Sequence, residues 1–94
     1  MSLTFEWDES KAEENLRKHG VSFAEASTVF EDTLSLTIPD PLHSAEEQRF
    51  VILGLSNQEH ALVVVHTYRD DSIRIISVRA ATSRERREYE QGTE

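Results

Sequence analysis

The sequence predicts an α+β domain with a mostly antiparallel sheet and helices packed on one face. Strand-like stretches recur between residues 34 and 79, and helix signals stand near both ends of the chain. The inferred order of elements is β-α-α-β-β-β-β-α, which fits this class. With 94 residues, the chain is expected to form one domain spanning residues 1–94.

Two helices are predicted between residues 8 and 30, after a short strand at residues 3–7. Asp8 fits the N-cap of a helix running to about His19, and Gly20 follows where a left-handed residue ends many helices. Ser22 and Glu25 have the spacing of a capping box, so a second helix is predicted to begin there. The glycine between them predicts a compact helical hairpin or corner.

Two further strands and a closing helix complete the prediction. Residues 34–38 alternate apolar and polar side chains, which is typical of a half-buried strand, and residues 48–56 form the next one. A polar loop is expected between them. Thr82 and Glu85 again have capping-box spacing, which predicts a helix to about Gln91. Tyr89 is the main apolar side chain of that helix, so it is expected to lie on the surface or against another chain.

The most strand-like stretch is a hairpin at residues 61–79, with Asp70 and Asp71 in its turn. Polar and charged side chains interrupt this apolar pair of strands: His66, Tyr68, Arg69, Arg74 and Arg79. One explanation is that one face or end of the sheet is exposed and functional. The alternative is that the arginines lie at strand ends or at an edge and protect the sheet from aggregation.

The length of the hairpin turn determines which side chains share a face. An even-length turn pairs Tyr68 with Ile73, His66 with Ile75 and Val64 with Ser77. It places His66, Tyr68, Ser77 and Arg79 on one face, and Val63, Val65, Ile76 and Val78 on the other. An odd-length turn would bring Arg74 onto the face of His66 and split the apolar set. The even register is predicted because it gives a coherent apolar face for a helix to cover.

The charge of the chain limits the classes of function it can serve. The net charge is −8, which argues against binding nucleic acid mainly by bulk electrostatic attraction. The acid is concentrated in residues 1–50, with four Lys/Arg against eleven Asp/Glu, whereas residues 51–94 hold six arginines against seven acidic residues. A phosphate-binding site in the second half would therefore act by local positioning.

Composition also indicates the compartment and the kind of site. The chain has no cysteine, no apolar run of membrane length and no signal-peptide pattern, so a soluble cytoplasmic protein is expected. It also has no histidines paired at ligand spacing, and the adjacent carboxylates stand in predicted loops. We therefore expect neither a metal nor another cofactor.

Three stretches of the sequence resemble the BrnT family. They are FEWDESKAEENLRKHGVSFAEASTVFED near the N-terminus, HTYRDDSIRIISVRAAT in the hairpin, and the closing RERREYE. BrnT proteins are ribonuclease toxins of type II toxin–antitoxin modules, related in fold to the RelE/ParE group. The resemblance spans about residues 5–90 and departs at Val78 and Ala80, where a small residue and often a basic one is expected.

The resemblance implies metal-independent cleavage of RNA by a toxin that inhibits growth. It also implies a toxin homodimer and a cognate antitoxin, a small ribbon-helix-helix protein. DNA would be contacted only indirectly, through the antitoxin, and no membrane would be involved. The thin core and the weakly amphipathic last helix are consistent with a surface that another chain covers.

Cleavage of RNA through its 2′-hydroxyl suggests roles for the polar residues. A group must remove the hydroxyl proton, cations must stabilise the phosphorane, and a donor must serve the leaving oxygen. His66 is the predicted acid/base because histidine titrates near neutral pH, and Tyr68 would stack a base or donate a hydrogen bond. The predicted phosphate-binding residues are Arg69, Arg74 and Arg79, and substrate contacts are predicted at Lys18, His19 and Ser77. For Lys18 and His19 the alternative is a favourable charge at a helix C-terminus.

A second function remains open at this point. The chain could be a non-catalytic, degenerate toxin module that binds an antitoxin and modulates its DNA binding. The acidic balance, and Ala80 at a position where a cation is often expected, favour that alternative. RNA cleavage distinguishes the two functions.

Overall fold

The computed structural model describes residues 3–40 and 47–92, and its strands form one five-stranded sheet in the order β1-β5-β4-β3-β2. The strands are β1 (Thr4–Glu6), β2 (Leu36–Pro39), β3 (Arg49–Leu55), β4 (Ala61–Arg69) and β5 (Ser72–Ala80), and the helices are α1 (Glu9–His19), α2 (Phe23–Thr28) and α3 (Ser83–Gln91). β1 is parallel to β5 and the other pairs are antiparallel. The predicted α+β class is confirmed. Residues 41–46 of the predicted polar loop lie outside the described residues.

All three helices begin where the sequence predicts, and α1 and α3 also end there, whereas α2 ends at Thr28 and is followed by the 3₁₀ turn Val29–Glu31. Asp8 Oδ1 accepts hydrogen bonds from the backbone N–H groups of Ser10 and Lys11, and Gly20 ends α1 with a φ of 73°. Ser22 caps α2, but Glu25 does not complete a capping box there. Its carboxylate instead accepts from the Ser56 hydroxyl at 2.6 Å and lies 2.7 Å from His60 Nδ1.

The core lies between the first two helices and one face of the sheet. Buried apolar side chains from the α1–α2 turn, α2, the 3₁₀ turn Val29–Glu31 and three strands meet there: Val21, Phe23, Ala26, Val29, Ile52, Leu62, Val64, Ile75 and Val78. Phe5, Trp7, Ala12 and Phe30 pack around this cluster. We call this side of the sheet the core face.

A buried amide attaches α1 to the edge of β5. β1 pairs only with residues 72–74 of β5, so the rest of that edge needs other partners. Asn15 Nδ2 donates to the carbonyl of Val78 at 2.9 Å, and the Val78 N–H donates to Asn15 Oδ1 at 3.1 Å. Asn15 Nδ2 also donates to the carbonyl of Val21 at 3.2 Å. The Asn15 side chain therefore makes the two hydrogen bonds to the Val78 backbone that a neighbouring strand would otherwise make, and it fixes α1 beside Val78.

Strand β2 is shorter and more exposed than predicted. It begins at Leu36, because Leu34 lies in a turn where its N–H donates to Asp32 Oδ1 at 3.0 Å. The side chains of Leu34 and Ile38 are 70% and 61% exposed, so the prediction of a half-buried strand is wrong for both. β2 is the edge strand of the sheet.

The hairpin register is even at the turn but changes within the strands. Tyr68 lies opposite Ile73 and His66 opposite Ile75, as predicted, whereas Val65 lies opposite Ser77. Ile76 is thus an extra residue, and the β-bulge that it forms reverses the orientation of every later side chain of β5. Val64 consequently meets Val78 rather than the predicted Ser77.

The bulge overturns the predicted assignment of faces. Val78 pairs with Val64 and is buried on the core face, whereas Arg79 pairs with Val63 on the opposite side. His66, which is 0% exposed, lies on the core face with Ile75. The predicted common face of His66, Tyr68, Ser77 and Arg79 is therefore wrong, as is the predicted helix-covered set of Val63, Val65, Ile76 and Val78. We call the side bearing Val51, Val63, Val65, Ser77 and Arg79 the distal face.

Replacement of Asn15 by alanine should destabilise the protein strongly. The substitution leaves the buried N–H and carbonyl of Val78 without partners, and an unsatisfied buried group costs about 1–3 kcal/mol. Urea denaturation measures the change in the free energy of unfolding. Glu14→Ala, at an exposed position on the same helix, should change it by no more than about 0.5 kcal/mol. Equal effects of the two substitutions would contradict this role of Asn15.

Candidate active site on the distal face

A cavity of about 230 Å³ opens on the distal face beside Arg79. Its lining combines apolar strand residues with four polar side chains: His19, Asp40, Val51, Val63, Val65, Ser77, Val78 and Arg79. We call it the Arg79 cavity. It brings together three of the residues that the sequence marks as functional: His19, Ser77 and Arg79.

His19 reaches this cavity from the end of α1. It is exposed, it occupies the last turn with Lys18, and Gly20 turns the chain away immediately after it. A neighbouring cavity of about 260 Å³ is lined by Lys11, Glu14, Asn15, Lys18, His19, Ile76 and Ser77. His19 and Ser77 line both cavities, so Lys18 lies close to the same site. A cation at a helix C-terminus is also favourable for the helix itself.

Arg79 is held by the first turn of α3. Its Nη1 and Nη2 atoms donate to Glu85 Oε1 and Oε2 at 2.8 and 2.9 Å, and Nη1 also donates to the carbonyl of Ala80 at 3.2 Å. The hydrogen bonds from Arg79 hold the pKa of Glu85 at about 2, and those to Glu85 raise the pKa of Arg79. Both groups are therefore charged at any pH at which the protein would function.

His66 is a core residue and does not reach the Arg79 cavity. Its ring lies among aromatic side chains, with ring centroids 4.7 Å from Phe30, 5.5 Å from Tyr68 and 6.0 Å from Phe50. Nδ1 lies 3.2 Å from the carbonyl of Val64, and Nε2 is buried with no hydrogen-bond partner among the described residues. Burial lowers the pKa of His66. The ring is neutral near pH 7 and is separated from Arg79 by the sheet.

The other predicted site residues also lie away from this cavity. Tyr68 is 56% exposed at the end of the core face, and its ring packs on Phe50 with centroids 5.3 Å apart. Arg74 and Arg69 donate to Glu6 Oε2 at 3.0 and 3.5 Å. These contacts attach β1 to the hairpin near its turn. Their position near the hairpin turn is the one described by the alternative in which the arginines lie at strand ends or at an edge and protect the sheet from aggregation.

Two carboxylates at the site have no clear signal in the sequence. Asp40 is buried and lines the Arg79 cavity, although its position between two prolines indicates only the end of a strand. Glu85 is recognisable as a capping residue for Thr82, but nothing in its spacing from Arg79 predicts an ion pair. The regular spacing of helices and strands carries no information about contacts across a β–α junction.

The arrangement suits an anionic substrate held near a proton-transfer group. Arg79 offers a fixed guanidinium, which can bind two phosphate oxygens at once. An exposed imidazole and a hydroxyl lie on the same cavity wall, at His19 and Ser77. Within residues 3–40 and 47–92, no three His, Asp or Glu side chains are grouped as metal ligands. No helix of that part of the chain is long and apolar enough to cross a membrane.

Comparison with known protein families shows which family the chain belongs to. The sequence model of the family described as "Ribonuclease toxin, BrnT, of type II toxin-antitoxin system" matches residues 7–85. The chain belongs to the BrnT family. Membership in a type II toxin–antitoxin family implies an antitoxin partner. The family is one of ribonucleases, which agrees with a cavity built around Arg79 and His19.

A solved structure supports the fold of this BrnT-family chain. The fold of this chain resembles the crystal structure of the Brucella abortus ribonuclease toxin BrnT, with a TM-score of 0.68 and 24% sequence identity. The match covers 87% of this chain and 100% of the Brucella chain. No curated protein sequence matches the chain. At this identity the similarity establishes the arrangement of helices and strands alone.

The buried imidazole of this BrnT-family chain should make its stability depend on pH. Above the ordinary histidine pKa of 6.5, His66 is neutral in both the folded and the unfolded chain. Below it, the unfolded chain binds a proton more readily because the folded pKa is lowered, so the free energy of unfolding falls as pH falls. His66→Phe should remove this component. Urea denaturation at about pH 7.5 and about pH 5.5 measures it, and an unchanged pH dependence in the variant would refute the assignment.

Proposed function

We propose that this chain is a toxin endoribonuclease that cleaves RNA in the Arg79 cavity through attack of a 2′-hydroxyl on the adjacent phosphate. The observation that supports it is the convergence of His19, Ser77 and Arg79 on one cavity, in a chain of a ribonuclease toxin family. The cavity is lined by a fixed cation, Arg79, and by the imidazole of His19. They meet two of the requirements of a cleavage that proceeds without a metal, namely charge stabilisation and removal of the hydroxyl proton.

Arg79 binds the scissile phosphate in this proposal. During the attack, negative charge builds up on the phosphate oxygens, and a guanidinium fixed in advance stabilises that charge without reorganising. The Arg79 side chain is partly exposed and its orientation is set by Glu85. The apolar wall of Val63 and Val65 limits the water around the phosphate, which strengthens the attraction.

His19, rather than the predicted His66, takes the acid–base role in this proposal. It is exposed at the mouth of the cavity, where an incoming RNA strand is accessible to it. His19 would remove the proton from the 2′-hydroxyl, and the Ser77 hydroxyl would donate a hydrogen bond to a phosphate or ribose oxygen. Lys18 adds a positive charge beside them. As the 2′-oxygen bonds to phosphorus, the bond from phosphorus to the 5′-oxygen breaks, and the 5′-oxygen takes a proton from solvent, to which His19 returns the proton that it removed. Cleavage would release a 2′,3′-cyclic phosphate and a 5′-hydroxyl.

The proposal includes the partners expected of such a toxin. The antitoxin would be a small ribbon-helix-helix protein, and it alone would contact operator DNA. The toxin would act in the cytoplasm as a homodimer. The exposed apolar side chains of Leu16, Leu34 and Ile38 support contact with other chains, because such residues lose unfavourable hydration when covered.

A second candidate function is favoured by one specific contact. Glu85 already accepts hydrogen bonds from Nη1 and Nη2 of Arg79. A chain with a net charge of −8 also attracts RNA only weakly. If the phosphate could not engage Arg79, the protein would act only by binding its antitoxin. The cleavage experiment separates the two functions, since this module would cleave no RNA at all.

Removal of either Arg79 or His19 should abolish most of the RNA cleavage. Loss of a general acid–base group lowers rates by about 10²–10⁴-fold, and loss of a charge-stabilising donor lowers them by roughly 10²–10³-fold. We expect effects of this size for His19→Ala and Arg79→Ala. A labelled oligoribonucleotide cleaved by purified protein gives the rate, and relief of growth arrest on expression gives a second measure.

Matched variants test whether the effect belongs to this site. Arg84→Ala removes an exposed arginine on α3, and His66→Phe removes the buried imidazole. Both should keep wild-type cleavage rates as long as circular dichroism shows a folded chain. Full activity of His19→Ala and Arg79→Ala would refute the proposed site. Complete inactivity of the wild-type protein would favour the antitoxin-binding module.

Cleavage should be independent of divalent metal. Arg79 provides the positive charge and His19 the proton transfer, so the proposed reaction needs no bound ion. Addition of EDTA to purified protein should leave the cleavage rate within about twofold of the untreated value, because no metal ion lowers the activation barrier in the proposed reaction. Loss of cleavage in EDTA that Mg²⁺ or Mn²⁺ restores would contradict the arginine-based mechanism.

A further inference from the structure

The contact between Arg79 and Glu85 leaves one defined edge of the guanidinium unoccupied. A guanidinium has five N–H donors in a planar array. Nη1 donates to Glu85 Oε1 and to the Ala80 carbonyl, and Nη2 donates to Glu85 Oε2. The Nε–H and the second Nη2–H, which point the same way, have no acceptor among residues 3–40 and 47–92. That pair of parallel donors matches two oxygens of a phosphate.

Glu85 is itself fixed by the backbone. Its Oε1 accepts the N–H of Thr82 at 2.9 Å, while the Thr82 hydroxyl accepts the N–H of Glu85 at 3.1 Å. This capping box begins α3 directly after β5. The carboxylate is therefore held by the helix start and in turn holds Arg79, so the guanidinium is locked between a helix and a strand.

We propose that Glu85 is a positioning residue for RNA cleavage. It orients Arg79 so that the Nε and Nη2 donors face the scissile phosphate. This inference rests on the proposed function of the Arg79 cavity. Glu85 does not touch the RNA. It fixes the plane of the Arg79 guanidinium in the free protein, so Arg79 loses less conformational entropy when the substrate binds.

The chemistry of Glu85 argues against a direct catalytic part. A general base must accept a proton near neutral pH, and both Glu85 oxygens are already engaged by strong donors. The low proton affinity that results makes it a poor base. The remaining alternative is competition, in which Glu85 withholds Arg79 from the phosphate. Positioning and competition predict opposite effects when the carboxylate is removed.

Glu85→Gln is the variant that separates these effects from helix capping. Glutamine also serves in capping boxes, so the start of α3 is preserved. It has one carbonyl oxygen and an amide group that cannot accept, so the two-bond fork with Arg79 is lost. Under the positioning role, cleavage should fall by roughly 10- to 100-fold, mainly in kcat, because a slightly misplaced group costs rate.

A double-mutant cycle shows whether Glu85 acts through Arg79. The rates of wild type, Glu85→Gln, Arg79→Ala and the double variant are measured with one oligoribonucleotide. Affinity is measured with the same sequence blocked at its 2′-hydroxyls. If Glu85 works only through Arg79, then Glu85→Gln should lower the rate further by less than twofold once Arg79 is alanine. A purely structural role would instead give independent, multiplicative losses.

Controls on the same helix complete the design. Glu88→Gln removes the same charge from α3, where Glu88 Oε2 lies 3.7 Å from Arg84 Nε, and should leave kcat unchanged. Thr82→Ala weakens the cap but keeps the fork, so it should lower stability more than kcat. A rise in cleavage or in affinity for the blocked RNA with Glu85→Gln, or multiplicative losses in the cycle, would overturn the inference. If Arg79→Ala itself has no effect, the proposed site fails instead.

Discussion

The β-bulge in the central hairpin is the constraint on which the site depends. One extra residue, Ile76, shifts the pairing between the two strands by one position, so that residues 62–65 of β4 pair with residues 77–80 of β5. Before the bulge, Ile75 and His66 face the helices, and after it Arg79 faces away from them. The same strand can thus supply Ile75 and Val78 to the core and Ser77 and Arg79 to the distal face.

Asn15 connects this hairpin to the second part of the site. Its amide binds Val78, the residue immediately before Arg79, and so fixes how far α1 extends along β5. His19 lies one helical turn beyond Asn15, which brings it beside Ser77. The relative positions of His19 and Arg79 therefore follow from a buried hydrogen bond that belongs to neither of them. This buried amide therefore orients α1 relative to β5.

The sequence predicts local structure here better than it predicts the site. The caps at Asp8, Gly20 and Thr82 depend on neighbouring residues, and all three lie where expected. The bulge is different, because the run from Ile73 to Val78 alternates in a way that fits two registers. The even register holds at the turn, but the prediction that it continues past Ile76 is wrong, because that prediction assumed that Val63 and Val65 lie on a side covered by a helix. The burial of an imidazole among aromatic rings was equally hard to predict, since Nε2 of His66 has no hydrogen-bond partner in the described part of the chain.

The pairing of cations with carboxylates explains how an acidic chain could recognise RNA selectively. Arg69 and Arg74 share Glu6, Arg49 lies 3.3 Å from Glu47, and Arg84 lies 3.7 Å from Glu88. Such pairs reduce the field that would otherwise attract any polyanion, which limits nonspecific binding. Arg79 differs because Glu85 engages one edge of its guanidinium, the other edge has no acceptor among the described residues, and Arg79 lines a cavity together with His19 and Ser77. Under the proposed function, recognition then depends on the geometry of one guanidinium, and the overall charge of the protein can remain strongly negative.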